Sequence, residues 1–219
     1  MIIKQTLAGK SLPRILMNRA IELYTKKHPL KGKVIDLGSK SDKMSYNRYL
    51  QKEENCSITY TDFAPISKGV EKVDLEKPFP IEENSYDTVL CLNTLEHIYN
   101  GKNIASESAR ILKKDGKFIG AIPFLAPFHP DPNDYFRYTH QAIEKMMIDA
   151  GFEKLEMKKL GVGPFSTGLY QLVMLMPKFL RPLCLLKLIV MDKILNSFTK
   201  NRHDGKKYTL MYFFVFRKK

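Results

Sequence analysis

The strongest constraint on this chain is a series of short apolar runs, each ending in a carboxylate, a glycine or a breaker and each followed by a polar or helical stretch. KVIDL (33–37) ends at Gly38, SITYT (57–61) at Asp62, a weaker run over 70–73 at Asp74, YDTVLCL (86–92) at Asn93, and KFIGAI (117–122) at Pro123. Between and around them lie helical patterns. Ile15, Leu16, Ala20, Leu23 and Tyr24 recur at helical spacing over 13–28, with Ser11 as a cap. Ile104, Ser108 and Ile111 mark a helix over 100–112, and Thr139 caps one that runs to Ala150, before Gly151. A short helix is expected over 46–50, an Asp115-Gly116 turn, and further strands over 152–158 and 208–216. Apolar strands alternating with amphipathic helices predict an α/β fold, a mostly parallel sheet covered on both faces.

The chain has 219 residues, which suits one core and needs no disulfide or metal staple. Its three cysteines, Cys56, Cys91 and Cys184, are far apart, which argues against a disulfide framework and fits a reducing cytoplasm. No apolar leader opens the sequence. The charge is asymmetric: residues 151–219 carry 14 basic and 4 acidic side chains, so most of the net +13 lies in the C-terminal third. That distribution suits an anionic partner such as a membrane surface or nucleic acid, although a lysine-rich solvated surface accounts for the charge taken alone.

In open α/β sheets, ligands bind beyond the carboxyl ends of the strands. The residues there are Asp36, Gly38, Ser39 and Lys40, then Asp62 and Phe63, then Asp74 and Leu75, then Asn93, Thr94, Leu95, Glu96 and His97, then Pro123, Phe124 and His129. One acid past a strand is an ordinary helix cap. Acids at three successive strand ends point to a ligand with hydroxyl groups to hold.

The order K-V-I-D-L-G, Y-T-D, V-D-L-E, Y-D-T-V-L-C-L-N-T-L-E-H-I, I-L-K-K-D-G-K-F-I and D-A-G-F resembles class I S-adenosylmethionine-dependent methyltransferases. It is most similar to the small bacterial group acting on metabolites, lipids or cell-surface glycans. The resemblance covers about residues 30–158 and the last strand. It implies a Rossmann-like sheet of seven strands, mostly parallel with an antiparallel last strand and helices on both faces. It also implies S-adenosylmethionine as cofactor. By position, Asp36, Gly38 and Ser39 would surround its methionine moiety, Asp62 with Phe63 its ribose, Asp74 with Leu75 its adenine, and Asn93 and Leu95 the wall beside the sulfonium. The glycine loop departs from the family pattern: Lys40 and Asp42 occupy the second and third glycine positions.

Methyl transfer to a hydroxyl requires removal of its proton, which a histidine can accept near neutral pH. His129 and His97 are the catalytic candidates. His129 opens the Pro-rich segment H-P-D-P-N-D-Y-F-R, in which Asp134, Tyr135 and Arg137 are candidate acceptor-binding residues; Arg137 would meet a substrate anion or Asp134. For each histidine a packing or capping role competes. No metal site is expected: His129 and Asp131 lie among prolines with no third ligand evident.

Three segments are expected: an N-terminal helical segment (1–29), the cofactor-binding α/β domain (30–159 with 208–219), and an apolar, basic helical insertion (160–207). In the insertion a helix is expected over 182–197, apolar nearly all round, and Lys178, Arg181, Lys187 and Lys193 exclude a membrane span. Residues 168–198 suit substrate binding, a homodimer contact, extra core, or peripheral docking at the inner face of a membrane. The lead reading is O-methylation of a small molecule or a lipid-linked or cell-surface saccharide. The alternatives are a catalytically degenerate scaffold at the membrane and an RNA methyltransferase. Nucleic acid is disfavoured because the basic residues alternate with aliphatic rather than stacking aromatic side chains.

Overall fold

The computed structural model describes residues 2–65, 67–200, 202–203 and 205–219. In chain order its elements are α1 (Ile2–Leu7), α2 (Leu12–Lys27), β1 (Lys33–Leu37), β2 (Ser57–Asp62), β3 (Val70–Lys72), β4 (Tyr86–Leu92), α3 (Gly101–Ile111), β5 (Leu112–Pro123), α4 (His140–Asp149), β6 (Phe152–Leu160), α5 (Pro164–Leu175), α6 (Arg181–Phe198) and β7 (Met211–Lys218). The sheet runs β3-β2-β1-β4-β5-β7-β6. Strands β1 to β5 pair in parallel, and β7 is antiparallel to both β5 and β6. The expected seven-stranded, mostly parallel sheet with an antiparallel last strand is present.

Residue alternation along the central strands builds two cores. Ile35, Leu37, Val89, Cys91, Phe118, Ile122, Phe214 and Phe216 face one side, where Ile104, Ala105 and Ile111 of α3 and Ile143 and Met147 of α4 cover them. Val34, Leu90, Leu92, Ile119, Ala121, Phe213 and Val215 face the other, under Met17, Ala20, Ile21 and Tyr24 of α2. Burying each of the valine, leucine, isoleucine, phenylalanine and methionine side chains stabilises the fold by about 1.5–3 kcal/mol. Because β1 to β4 run parallel, their carboxyl ends share one edge, and that edge holds the candidate site.

Several local expectations change. Residues 46–50 form only a short 3-10 turn, Asn47–Tyr49. The Tyr46 side chain is drawn into the core to Asp36, and Asn47 Nδ2 donates to the Asp42 carbonyl at 2.6 Å, so local side-chain contacts replace helical ones. His97 likewise lies in a 3-10 turn, Leu95–His97; α3 begins at Gly101, where the Asn100 side chain accepts the Asn103 N–H. Asp115-Gly116 is absorbed into β5 as an irregularity: pairing jumps from Tyr86↔Leu112 to Thr88↔Lys117, and Asp115 has φ 62°.

The stretch between β6 and β7 holds two helices rather than one. Leu12 and Ile15 of α2, Tyr170 and Val173 of α5, Leu185 and Ile189 of α6, and Leu210 form a third apolar cluster. The N-terminus of α5 has no cap from its own flank. The fully buried Asp192 of α6 supplies it, accepting the N–H groups of Phe165 at 2.8 Å and Ser166 at 2.9 Å. Gly163 makes this approach possible, since a Cβ there would sit 2.6 Å from the Asp192 carboxyl carbon. Among the described residues no helix is long and apolar enough to cross a membrane.

Candidate functional site

The expected cofactor residues converge on the carboxyl edge of β1 to β4. Asp36 is fully buried at the end of β1. Tyr46 donates to its Oδ2 at 2.7 Å, while Oδ1 is buried with no hydrogen-bond partner among the described residues. Burial pushes the Asp36 carboxyl up to about 7, despite the stabilising Tyr46 hydrogen bond. Gly38 has φ +77°, and a Cβ there would lie 2.3 Å from the Thr94 methyl carbon. Only glycine meets both demands. Thr94 in turn donates to the Leu37 carbonyl at 3.0 Å, locking the β4 end against the β1 end. The Ser39 N–H donates to the Thr61 carbonyl at 2.8 Å, continuing this packing toward β2.

At the end of β2, Asp62 Oδ1 accepts the Ala64 N–H at 2.9 Å, and among the described residues Oδ2 has no protein partner. Phe63 is exposed, with Lys72 Nζ 5.8 Å from its ring centre. Asp74 is more engaged: it accepts the Glu76 N–H at 3.1 Å and pairs with Lys77 at 2.9 Å, which lowers its pKa. Leu75 is buried, and its carbonyl accepts Asn103 Nδ2 at 2.8 Å. Asn93 adopts φ 56°, and its Oδ1 is buried without a partner among the described residues; Leu95 is buried below.

Lys40 extends to Asp131, with Nζ 2.6 Å from Oδ1. The first loop is thereby tied to the loop after β5, with the Asp131 carboxylate engaged by this cation.

The acceptor-side residues cluster around Glu96, which is fully buried. His97 Nε2 and His129 Nε2 each lie 3.7 Å from Glu96 Oε1, and the two rings stand edge to face at 5.3 Å. Glu96, and secondarily the Pro127 carbonyl and Asp134, raise the His129 pKa against the opposing effect of burial. Arg137 forms a two-pronged pair with Asp134, at 2.5 and 2.6 Å, reaches the carbonyls of Phe136 and Pro127, and brings Nη2 to 3.4 Å from His129 Nδ1. Of its two expected roles the structure shows the one inside the loop, and this pairing holds the Asp134 carboxyl far below the usual range. Tyr135 is exposed, packs edge to face on Tyr99 at 5.4 Å, and donates its N–H to the Glu96 carbonyl at 2.9 Å.

A cavity of about 300 Å³ opens between α2, the ends of β4 and β5, the 126–129 loop and α5. Arg14, Asn93, His129, Tyr170, Gln171 and Met174 line it. Sequence reasoning missed Arg14, Tyr46 and Tyr170. Arg14 has no hydrogen bond among the described residues, and burial lowers its pKa. The one sequence signal for Arg14 is a cation beside Pro13 on an otherwise apolar helix start. Nothing in the local sequence marks Tyr46 or Tyr170, whose partners Asp36 and the Leu125 carbonyl lie on other elements.

Residues 41–120 match the family described as a methyltransferase domain. No curated protein matches the chain by sequence. Solved structures share its fold. The cyclase SpnF is 15% identical with a TM-score of 0.57, over 92% of this chain and 80% of SpnF. The YcgJ protein from Bacillus subtilis is 15% identical with a TM-score of 0.53, over 92% and 98%. Phosphoethanolamine N-methyltransferase 2 from Haemonchus contortus, solved with phosphomonomethylethanolamine and S-adenosylhomocysteine, is 14% identical with a TM-score of 0.58, over 92% of this chain and 52% of that one. The chain thus has the fold of the class I S-adenosylmethionine-dependent methyltransferases and carries, over residues 41–120, a match to their methyltransferase domain.

Proposed function

We propose that this protein is an S-adenosylmethionine-dependent methyltransferase that methylates an oxygen of a small molecule or a lipid-linked saccharide. The observation carrying the reading is the meeting of two features at one sheet edge. Strand ends bearing Asp36, Gly38, Asp62 and Asn93 adjoin a largely apolar cavity into which His129, Arg14 and Tyr170 bring polar groups. The residues fit the cofactor: Gly38, at φ +77° and packed against Thr94, sets the tight turn at the end of β1, Asp62 Oδ2 is available to a ribose diol, and the orphaned oxygens of Asp36 and Asn93 suit a cationic ligand. Asp36, Gly38, Ser39, Asn93 and Leu95 would hold its methionine end, Asp62 and Phe63 its ribose, and Asp74 and Leu75 its adenine.

When bound, the cofactor supplies an electrophilic methyl on a good leaving group. What this chain must add is position and proton removal. His129 and His97 are the groups suited to accept the acceptor's proton. Tyr135 and the Asp134–Arg137 pair shape the loop around them, and α5 covers the cavity. The N-terminal segment and the 160–207 insertion both reach this cavity, through Arg14 and Tyr170, so acceptor choice belongs to them rather than to the cofactor half.

The same insertion supports a peripheral membrane role on the cytoplasmic side. Leu172, Leu175, Phe179, Leu183, Ile194 and Phe198 are exposed on or beside α5 and α6, interspersed with Lys178, Lys187 and Lys193. An apolar surface set among cations suits an anionic leaflet and would bring a lipid-linked acceptor to the cavity.

Calorimetric titration with S-adenosylmethionine and S-adenosylhomocysteine tests the cofactor assignment. Micromolar binding that disappears in Asp62→Ala supports it. Failure of the wild-type protein to bind either compound would replace the enzyme with a non-catalytic scaffold on the same fold.

A further inference from the structure

The group Glu96, His97 and His129 has a geometry that proton acceptance does not require. The three ligand-capable atoms lie within 4.8 Å of one another. Both carboxylate oxygens of the fully buried Glu96 lack hydrogen-bond partners among the described residues. Each imidazole is held through its other nitrogen: His97 Nδ1 meets the Asn133 carbonyl at 2.6 Å, and His129 Nδ1 meets the Pro127 carbonyl at 2.8 Å. A carbonyl oxygen only accepts, so both Nδ1 atoms carry hydrogen and donate. In the neutral rings both Nε2 lone pairs therefore converge on the Glu96 carboxylate.

Converging lone pairs repel unless a positive charge lies among them. A proton on Nε2 supplies such a charge but, at 3.7 Å, no hydrogen bond, so both Glu96 oxygens stay unpartnered among the described residues, whereas a metal ion would bond all three groups at once. Ligand atoms bound at about 2.0–2.2 Å to one metal ion stand roughly 3–3.5 Å apart, so each Glu96–histidine pair, at 3.7 Å, is a few tenths of an ångström from that spacing, while the group as a whole, within 4.8 Å, would draw in by about an ångström. Histidines that donate the second ring N–H to a backbone carbonyl show the usual orientation of metal-ligating imidazoles. Asn93 lines the same cavity as His129, and its buried Oδ1, without a partner among the described residues, offers a further oxygen.

We propose that Glu96, His97 and His129 bind a divalent transition-metal ion at the rim of the acceptor cavity. Two imidazoles and a carboxylate select Mn²⁺, Fe²⁺, Co²⁺ or Zn²⁺ over Mg²⁺ or Ca²⁺. The role within catalysis rests on the methyltransferase reading: an acceptor hydroxyl entering the cavity would meet the ion, which lowers the pKa of a bound oxygen. The histidines would then act as ligands rather than as bases.

The test uses the full chain, stripped with chelator and titrated with Co²⁺, with binding read from visible d–d absorption and from calorimetry. One ion per chain is expected, with affinity reduced at least about ten- to a hundredfold, the cost of losing even an outer-shell partner, in His129→Asn and in His97→Asn. It should be unchanged in His28→Asn, at the far end of α2. His129 lies on an exposed loop, so His129→Asn should keep the wild-type melting curve and remain interpretable if His97→Asn does not fold. Absence of saturable binding of Co²⁺, Mn²⁺ and Zn²⁺, or equal affinity in wild type and His129→Asn, overturns the proposal. S-adenosylhomocysteine titration in the same samples separates the two ideas: metal without nucleoside binding refutes the methyltransferase reading alone, and nucleoside without metal binding refutes the metal site alone.

Discussion

Tyr46 donates a 2.7 Å hydrogen bond to Asp36 inside the sheet edge, where neither side chain meets bulk water. The bond leaves Asp36 up at about 7, because desolvation of the carboxylate outweighs one donor. An unfolded aspartate titrates near 4, so folding tightens proton binding here. This group's contribution to stability is therefore greatest below about pH 4 and falls as pH rises to about 7, by on the order of a few kcal/mol. Urea midpoints at pH 5 and pH 8 should show that fall, and Asp36→Asn should flatten it. A cationic ligand at this edge gains from ionised Asp36, so S-adenosylmethionine should bind more tightly at pH 8 than at pH 6 in the wild type only.

Gly38→Ala combines strain with collision. An alanine at φ +77° costs about 1–3 kcal/mol, and its methyl would press on Thr94. The variant should melt lower and bind S-adenosylhomocysteine at least tenfold more weakly. Unaltered affinity would place the nucleoside elsewhere.

Asp192→Ala leaves two N–H groups at the start of α5 unpaired in a buried setting. A loss of about 1–3 kcal/mol is expected, which for a chain of this size lowers the melting midpoint by roughly 2–10 °C. Scanning calorimetry measures it directly.

Flotation with anionic vesicles tests the exposed face of the insertion. The wild type should float with vesicles rich in phosphatidylglycerol and less so at high salt, since the cationic part of the attraction is screened. Leu175→Asp with Phe179→Asp, both strongly exposed, should stay with the soluble fraction while retaining its melting curve. Equal flotation of the double variant would dismiss this face as the contact.

The parts legible from sequence are those set by short-range patterning. β1 and β4 appear at the expected bounds because central parallel strands are continuously apolar, and the acids at their ends stand out against that background. The helices α2, α3 and α4 announce themselves by spacing and, for α4, by the expected Thr139 cap, whereas Ser11 makes no side-chain cap bond to α2. The helix expected over 46–50 failed because Tyr46 answers to Asp36, ten residues away in sequence but adjacent across the sheet edge. Arg14 and Tyr170 were illegible for the same reason. The cavity wall they share is assembled from α2 and α5, which no local window joins. His129 was legible as a polar residue in a Pro-rich loop, but its relation to Glu96 and His97 depends on how that loop folds back.

The return of β7 between β5 and β6 has a further consequence. The Leu210 N–H donates to the Leu160 carbonyl at 2.8 Å, so the excursion that contains α5 and α6 leaves and re-enters the sheet at adjoining points. A segment whose two ends meet can lengthen, shorten or change sequence without shifting the register of any strand. The cavity's outer wall is thus built as a cassette, closed on itself at the sheet and separable from the strand ends that it faces.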